Sequence, residues 1–156
     1  MTASDAEVGD YLGISVSVSG DTAIVGAHQN DDGGVSTGSA YIFVRGTDDS
    51  WSEQAKLTAS DPAWYDYFGQ SVSVSGDIAI VGAYGDDDGG STAGSAYVFA
   101  RDGDTWSEQA KLSADGTIDG YFGYTVAVSG DTAMAGAFGN AGSVTDSGAA
   151  YLYSCT

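Results

Sequence analysis

The chain has 156 residues, enough for one domain with a real core, and its 24 glycines, single proline (Pro62) and many Val, Tyr, Ser and Thr residues exclude a helical protein in favour of short strands and tight turns. A net charge of -18, from 22 acidic residues against only Arg45, Arg101, Lys56 and Lys111, excludes nucleic acid and other polyanions as partners. That balance implies a surface kept hydrated in concentrated salt, carboxylates gathered to hold cations, or both, and it predicts a fold that tolerates or needs high ionic strength.

In chain order, Met1 to Asp10 is acidic and has neither a basic start nor an apolar h-region, so no signal peptide is expected. No apolar run approaches membrane-spanning length, so no membrane insertion is expected. The first predicted strand, Ser15 to Ser19, sets Val16 and Val18 on a core face and serines on the other. Ser19-Gly20-Asp21 supplies a tight turn, and a second strand follows at Ala23 to Ala27, where Gly26, like its counterparts Gly82 and Gly136, implies that another backbone passes close by. After an acidic, glycine-rich loop come a third strand, Ala40 to Val44, and a fourth, Trp51 to Leu57. In the fourth, Trp51, Ala55 and Leu57 alternate with Ser52, Gln54 and Lys56, the pattern of an amphipathic outer strand.

The whole unit then recurs. Tyr11 to Arg45 (YLGISVSVSGDTAIVGAHQNDDGGVSTGSAYIFVR) returns as Tyr67 to Arg101 (YFGQSVSVSGDIAIVGAYGDDDGGSTAGSAYVFAR), and a third copy begins at Tyr121 and ends with GAAYLYSCT. The period of about 55 residues suits a four-stranded antiparallel unit, with repeats at about 11–66, 67–120 and 121–156 in a single segment 1–156. The third copy stops before a Trp-Ser-Glu-Gln-Ala-Lys-Leu strand, so eleven strands are expected rather than twelve.

Phe68-Gly69 and Phe122-Gly123, with Leu12-Gly13 in the first copy, and Gly26-Ala27, Gly82-Ala83 and Gly136-Ala137 resemble the FG-GAP repeat family in its bacterial and archaeal form, related to the β-propellers of integrin α subunits. The resemblance implies an all-β fold of propeller blades and a binding or adhesion role, extracellular or at a cell surface. The proline of GAP is replaced here by His28, Tyr84 and Phe138. The calcium loop of integrin repeats lies between the first and second strands, where this chain has only a Ser-Gly-Asp turn, so those sites do not carry over.

Cation binding is instead sought in Gly85-Asp86-Asp87-Asp88-Gly89-Gly90 and its echo Asn30-Asp31-Asp32-Gly33-Gly34. Glycine lets such a loop curl, and alternate carboxylates converge on one ion, so Asp86 and Asp88, with Asp87, Asp31 and Asp32, are the candidate Ca2+ ligands. Solvated acidic turns are the alternative, and the third copy, Gly139-Asn140-Ala141-Gly142, has no carboxylate. His28, Tyr84 and Phe138 share one ring-bearing position, so His28 is read as structural, and the three rings form a possible contact surface on one side of the blades. Tyr11, Tyr67 and Tyr121 are expected to pack between blades.

With one histidine and one cysteine, Cys155, acyl-transfer chemistry lacks its parts, and no enzyme is expected. The expected function is a non-catalytic binding module for a protein or glycan, with a purely structural, self-assembling blade array as the alternative. Three blades do not close a propeller, so a homodimer forming a six-bladed ring is expected, its third blade covered in part by Met1 to Asp10 of the partner, with a longer polypeptide of which this chain is a segment as the alternative.

Overall fold

A computed structural model describes residues 1–114, 120–139 and 147–155. The fold is all-β, in three antiparallel sheets with the expected blade connectivity. The first runs in the order β1 (Val16–Ser19), β2 (Thr22–Ala27), β3 (Ser39–Arg45), β4 (Trp51–Leu57). The second repeats it with β5 (Ser71–Ser75), β6 (Ile78–Ala83), β7 (Ser95–Asp102) and β8 (Thr105–Ser113), and the third consists of β9 (Phe122–Ser129), β10 (Thr132–Ala137) and β11 (Ala149–Ser154). The first two strands of each sheet are joined by a two-residue loop: Ser19 pairs with Thr22, and Gly20, at φ 58°, takes the positive dihedral that the turn requires.

The core lies between the sheets. Ile24, Ile42 and Leu57 of the first pack with Phe68, Val72, Val74 and Phe99 of the second, all buried. Ile80 and Val98 of the second pack in turn with Phe122, Val128 and Ala133 of the third. Each such aliphatic side chain withdrawn from water contributes roughly 1.5–3 kcal/mol. The valines of the first strand are core only where a sheet precedes them: Val72 and Val74 are 5% and 4% exposed, Val16 and Val18 67% and 66%.

The serines between those valines are not idle polar positions. Ser15, Ser17 and Ser19 accept hydrogen bonds from the N–H groups of Val72, Val74 and Gly76 at 3.1, 3.2 and 3.1 Å. Ser71, Ser73 and Ser75 do the same for Val126, Val128 and Gly130, at 3.0 Å each. Alternation thus has one apolar face for the preceding sheet and one hydroxyl face for the backbone of the next.

Two of the three glycine expectations hold. A β-carbon at Gly26 would collide with the carbonyl oxygen of Gly69, and one at Gly82 with that of Gly123. At Gly136 the close neighbour is instead the hydroxyl of Thr125, 2.6 Å away in its own sheet, since no further sheet approaches.

The fourth strand departs from simple alternation. Ile42 pairs with Ala55 but Phe43 with Glu53, so Gln54 is an extra, bulged residue, and the same slip occurs between Val98 and Phe99 opposite β8. The bulge reverses the facing of the residues before it. Trp51 therefore packs with Tyr41 and Phe43 on one face of the sheet, while Ala55 and Leu57 pack with Ile42 on the other. The bulged Gln54 accepts a hydrogen bond from the Trp106 indole of the next sheet at 3.0 Å.

Part of Met1 to Asp10 is engaged with its own first blade. Ala3 is buried in the first sheet, and Ser4 donates to Glu53 from its N–H and hydroxyl at 2.8 and 2.9 Å, as Ser60 does to Glu108 at 3.0 and 2.8 Å. The segment fills, on the first sheet, the place that the stretch after β4 fills on the second.

Candidate functional site

The acidic loops join β2 to β3 and β6 to β7. In the second, Asp86 and Asp88 converge as expected, because the Asp88 N–H donates back to Asp86 Oδ1 at 3.1 Å and curls the loop. Their third partner is Asp61, from the segment after β4, and carboxylate oxygens of the three lie within 4.8 Å of one another. Such a triad could hold a metal ion. A cation is already there: the Lys111 ammonium lies 2.7 Å from each of Asp61, Asp86 and Asp88 and 5.5 Å from the centre of the Tyr97 ring. The Tyr97 hydroxyl lies 2.8 and 2.9 Å from Asp61 and Asp86, and its single proton is shared between the two carboxylates. Burial would lower the Lys111 pKa, but the hydrogen bonds that its ammonium donates to the three carboxylates raise it. Against the opposing effect of burial, Lys111 and Tyr97 hold Asp61 below its ordinary value.

The first loop builds a smaller version. Lys56 bonds Asp5 at 2.7 Å and pairs with Asp32, over the Tyr41 ring, and the buried position of Asp86 is taken by Asn30, which accepts from Ser39 at 2.9 Å. Burial, with the Asp5 hydrogen bond, pushes the Tyr41 hydroxyl up to about 12. Two of the five candidate ligands stand apart. Asp31 braces its own loop by accepting from the Ser36 N–H at 2.6 Å, and Asp87 is exposed and outside the triad. Sequence reading missed Asp5, Asp61 and both lysines because they lie far along the chain from the loops. The signal available was that the only two lysines, and the two Asp residues of the TASD strings, recur in register.

On the same ends of the sheets runs a row of rings. Tyr11, His28, Tyr67, Tyr84, Tyr121 and Phe138 follow one another with centroid separations of 5.9, 5.9, 5.1, 6.3 and 4.8 Å, and Tyr67–Tyr84 and Tyr121–Phe138 are stacked. Tyr67 and Tyr121 bridge neighbouring sheets as expected, while Tyr11, with no sheet before it, is 62% exposed. Backbone pairing sets them there: the N–H groups of Tyr67 and Phe68 donate to Ser36 and Thr37, and those of Tyr121 and Phe122 to Thr92 and Ala93, at 2.9 to 3.1 Å. Burial lowers the pKa of His28, whose Nδ1 is buried without a hydrogen-bond partner. Beside the row, Trp64, Tyr65, Tyr67, Tyr84, Asp87 and Ser91 line an open cleft. Trp64 reaches it by lying over Gly34, where a β-carbon would come within 2.7 Å of the indole nitrogen.

The FG-GAP repeat model matches residues 1–43, 51–99 and 106–153. The chain belongs to the FG-GAP repeat family. No curated protein matches it. The structure gives the two halves of the FG-GAP motif a joint meaning: the FG phenylalanines Phe68 and Phe122 are fully buried, and the glycine after each sets its carbonyl against the GAP glycine of the preceding blade. Each of the two later FG-GAP matches begins in the outer strand of one blade and continues through three strands of the next.

The sequence is expected to hold no Gly-x-Ser-x-Gly elbow, yet Gly34-Val35-Ser36-Thr37-Gly38 in this FG-GAP chain has that spacing. It lies in the loop between β2 and β3, with no helix after it, and so lacks the strand–turn–helix context on which that motif depends.

Proposed function

We propose that this FG-GAP chain is a non-catalytic binding module of the adhesion type, whose protein or glycan ligand is met on the aromatic face. The observation that carries this reading is the ring row and its cleft: Trp64 and Tyr65 are 69% and 53% exposed beside the carboxylate of Asp87. Exposed rings offer flat apolar contact at small entropic cost, and a carboxylate and hydroxyl beside them suit a ligand rich in hydroxyl groups. All four basic side chains are engaged within the protein, each in an Asp ion pair and over an aromatic ring, so a neutral ligand is favoured over an anionic one.

Calcium enters this reading as a competitor for Lys111 at Asp61, Asp86 and Asp88, ordering the loop that carries Asp87. The test is an array of immobilised glycans and surface proteins in molar KCl, with and without calcium. Binding that falls at least tenfold in Trp64→Ala and Tyr65→Ala, both with native melting, supports the aromatic face. Binding unchanged by either variant overturns it, and no binding under any condition favours the purely structural array.

A further inference from the structure

The two internal blade junctions follow one pattern, and both halves of a third, unmade junction lie open at the ends of the array. From this we infer that the third blade of one chain docks on the first blade of a second copy, head to tail, so that two copies close a six-bladed ring. This assembly is independent of any ligand on the aromatic face.

The donor half is the inner edge of the first blade. The N–H groups of Val16, Val18 and Gly20 occupy the positions of Val72, Val74 and Gly76, and of Val126, Val128 and Gly130, each of which donates to a serine of the preceding blade. Among the described residues no serine faces the first set. The edge is already shaped for docking: Gly13 has φ 99°, beside 93° and 80° at Gly69 and Gly123, and its N–H donates to Gly26 at 2.9 Å as that of Gly69 does to Gly82 at 3.0 Å. In Gly69 and Gly123 that conformation serves to press a carbonyl against the preceding blade, whereas Gly13 has open space on that side.

The acceptor half is the far face of the third blade. Thr125 and Ser129 stand where Ser71 and Ser75 stand in the second, and both are exposed. Ala127 replaces the middle serine, so this junction makes two of the three hydroxyl contacts. Gly136 keeps the glycine of the other junctions, but the Thr125 hydroxyl sits beside it, 2.6 Å from where a β-carbon would stand, so docking turns Thr125 to its other rotamer, freeing both the gap and the acceptor. Around these, the apolar partners are equally unmatched. Met134 and Leu152 are 40% and 69% exposed where Ile80 and Val98 are 0% and 6%, and they face the role that Val16 and Val18 need filled. Exposed Phe138 and Tyr11 are the two ends of the ring row, and docking would join them as His28 and Tyr67 are joined within the chain.

The occupant is a second copy because the chain carries both complementary halves itself: the N–H edge and Gly13 on its first blade, and the hydroxyls and Gly136 on its third. Two such junctions related by a two-fold axis complete the ring without leaving an open end. With -18 on each chain, screening by salt is part of the mechanism, so assembly strengthens as KCl rises.

Light scattering in molar KCl is expected to give twice the chain mass of 15.7 kDa. Val18→Asp and Leu152→Asp change side chains that are exposed in the single chain, and each alone is expected to be a folded monomer. Mixing the two restores one intact junction and is expected to return a dimer, a rescue that a face-to-face dimer of like surfaces would not give. Ala127→Ser supplies the third hydroxyl at each of the two junctions and is expected to tighten the dimer about fivefold to a hundredfold. A wild-type chain that melts cooperatively as a monomer at high concentration overturns the proposal. So does an unbounded series of larger masses, a dimer retained in Val18→Asp, or a mixture that stays monomeric.

Discussion

The lysine nodes of the first and second blades are built on one plan and differ at one buried position. Around Lys111 stand three carboxylates, one of them Asp86, whose side chain is only 3% exposed; around Lys56 stand two, and Asn30 fills the buried place. Tyr97 shares its one hydroxyl proton between two carboxylates, whereas Tyr41 donates to Asp5 alone, at 2.8 Å, and receives a long 3.5 Å contact from the Asn30 amide. The invariable parts are the ammonium and the ring beneath it. The carboxylate count differs between the two blades, while the ammonium over a tyrosine ring is common to both.

The sharpest way to break the comparison is to remove the ammonium from each node. Lys111→Met leaves a carboxylate buried without a counter-ion and is expected to cost about 3–5 kcal/mol in chemical denaturation. Lys56→Met, whose partners are more exposed, is expected to cost about 1 kcal/mol. Calcium should restore part of the loss in Lys111→Met, since the emptied triad then offers converging oxygens, and little in Lys56→Met. Equal losses, or equal rescue, would show that the buried carboxylate is not what separates the nodes.

A second difference follows from the same substitution. Asp66, buried behind the second node, has its pKa raised to about 6, by burial first and then by the charges of Asp86 and Asp87. A carboxyl whose folded pKa lies above its unfolded value favours the fold fully below the unfolded pKa, near 3.8, and loses that contribution as pH rises through about 6. Asp66→Asn is therefore expected to stabilise the protein by about 1–3 kcal/mol at pH 8 and to be neutral at or below about pH 3.5. Asp86→Asn, which gives the second node the composition of the first, should bring the Asp66 titration down towards its ordinary range in a carboxyl-carbon NMR titration. An unmoved Asp66 would assign the whole shift to burial.

The smallest expected effect concerns the ring row. His28 carries a buried Nδ1 without a partner, where the other two blades have Tyr84 and Phe138. His28→Phe removes that atom while keeping the ring contacts with Tyr11 and Tyr67, and is expected to gain about 1 kcal/mol. Because burial lowers the His28 pKa, the gain should grow as pH falls below about 6.5, where the unfolded histidine takes up a proton that the folded one resists. A loss on substitution would mean that Nδ1 has a use in the intact protein.

Much of the fold was legible because its signals are local. Val-Ser alternation marked the inner strands, the Ser-Gly-Asp triplets marked their turns, and Gly26 and Gly82 marked the close approach of the next blade. The convergence of Asp86 and Asp88 could be read as well, since they lie two residues apart in a glycine-flanked loop. Asp61 and Lys111 could not, because no local period relates them to that loop; they meet it only when the outer strand and the segment before the next blade are laid beside it.

By itself, then, the sequence determined the strands, the turns, the repeat and the family, all of which depend on side-chain periods of two and on backbone freedom at single glycines. Tertiary structure alone decided that the serines bind the backbone of the following blade, and that one bulged glutamine puts Trp51 and Ala55 on opposite faces. It also decided that the cation among the carboxylates is a lysine. Each of these is fixed by which sheet lies against which, and groups some fifty residues apart come into contact only after the sheets have packed.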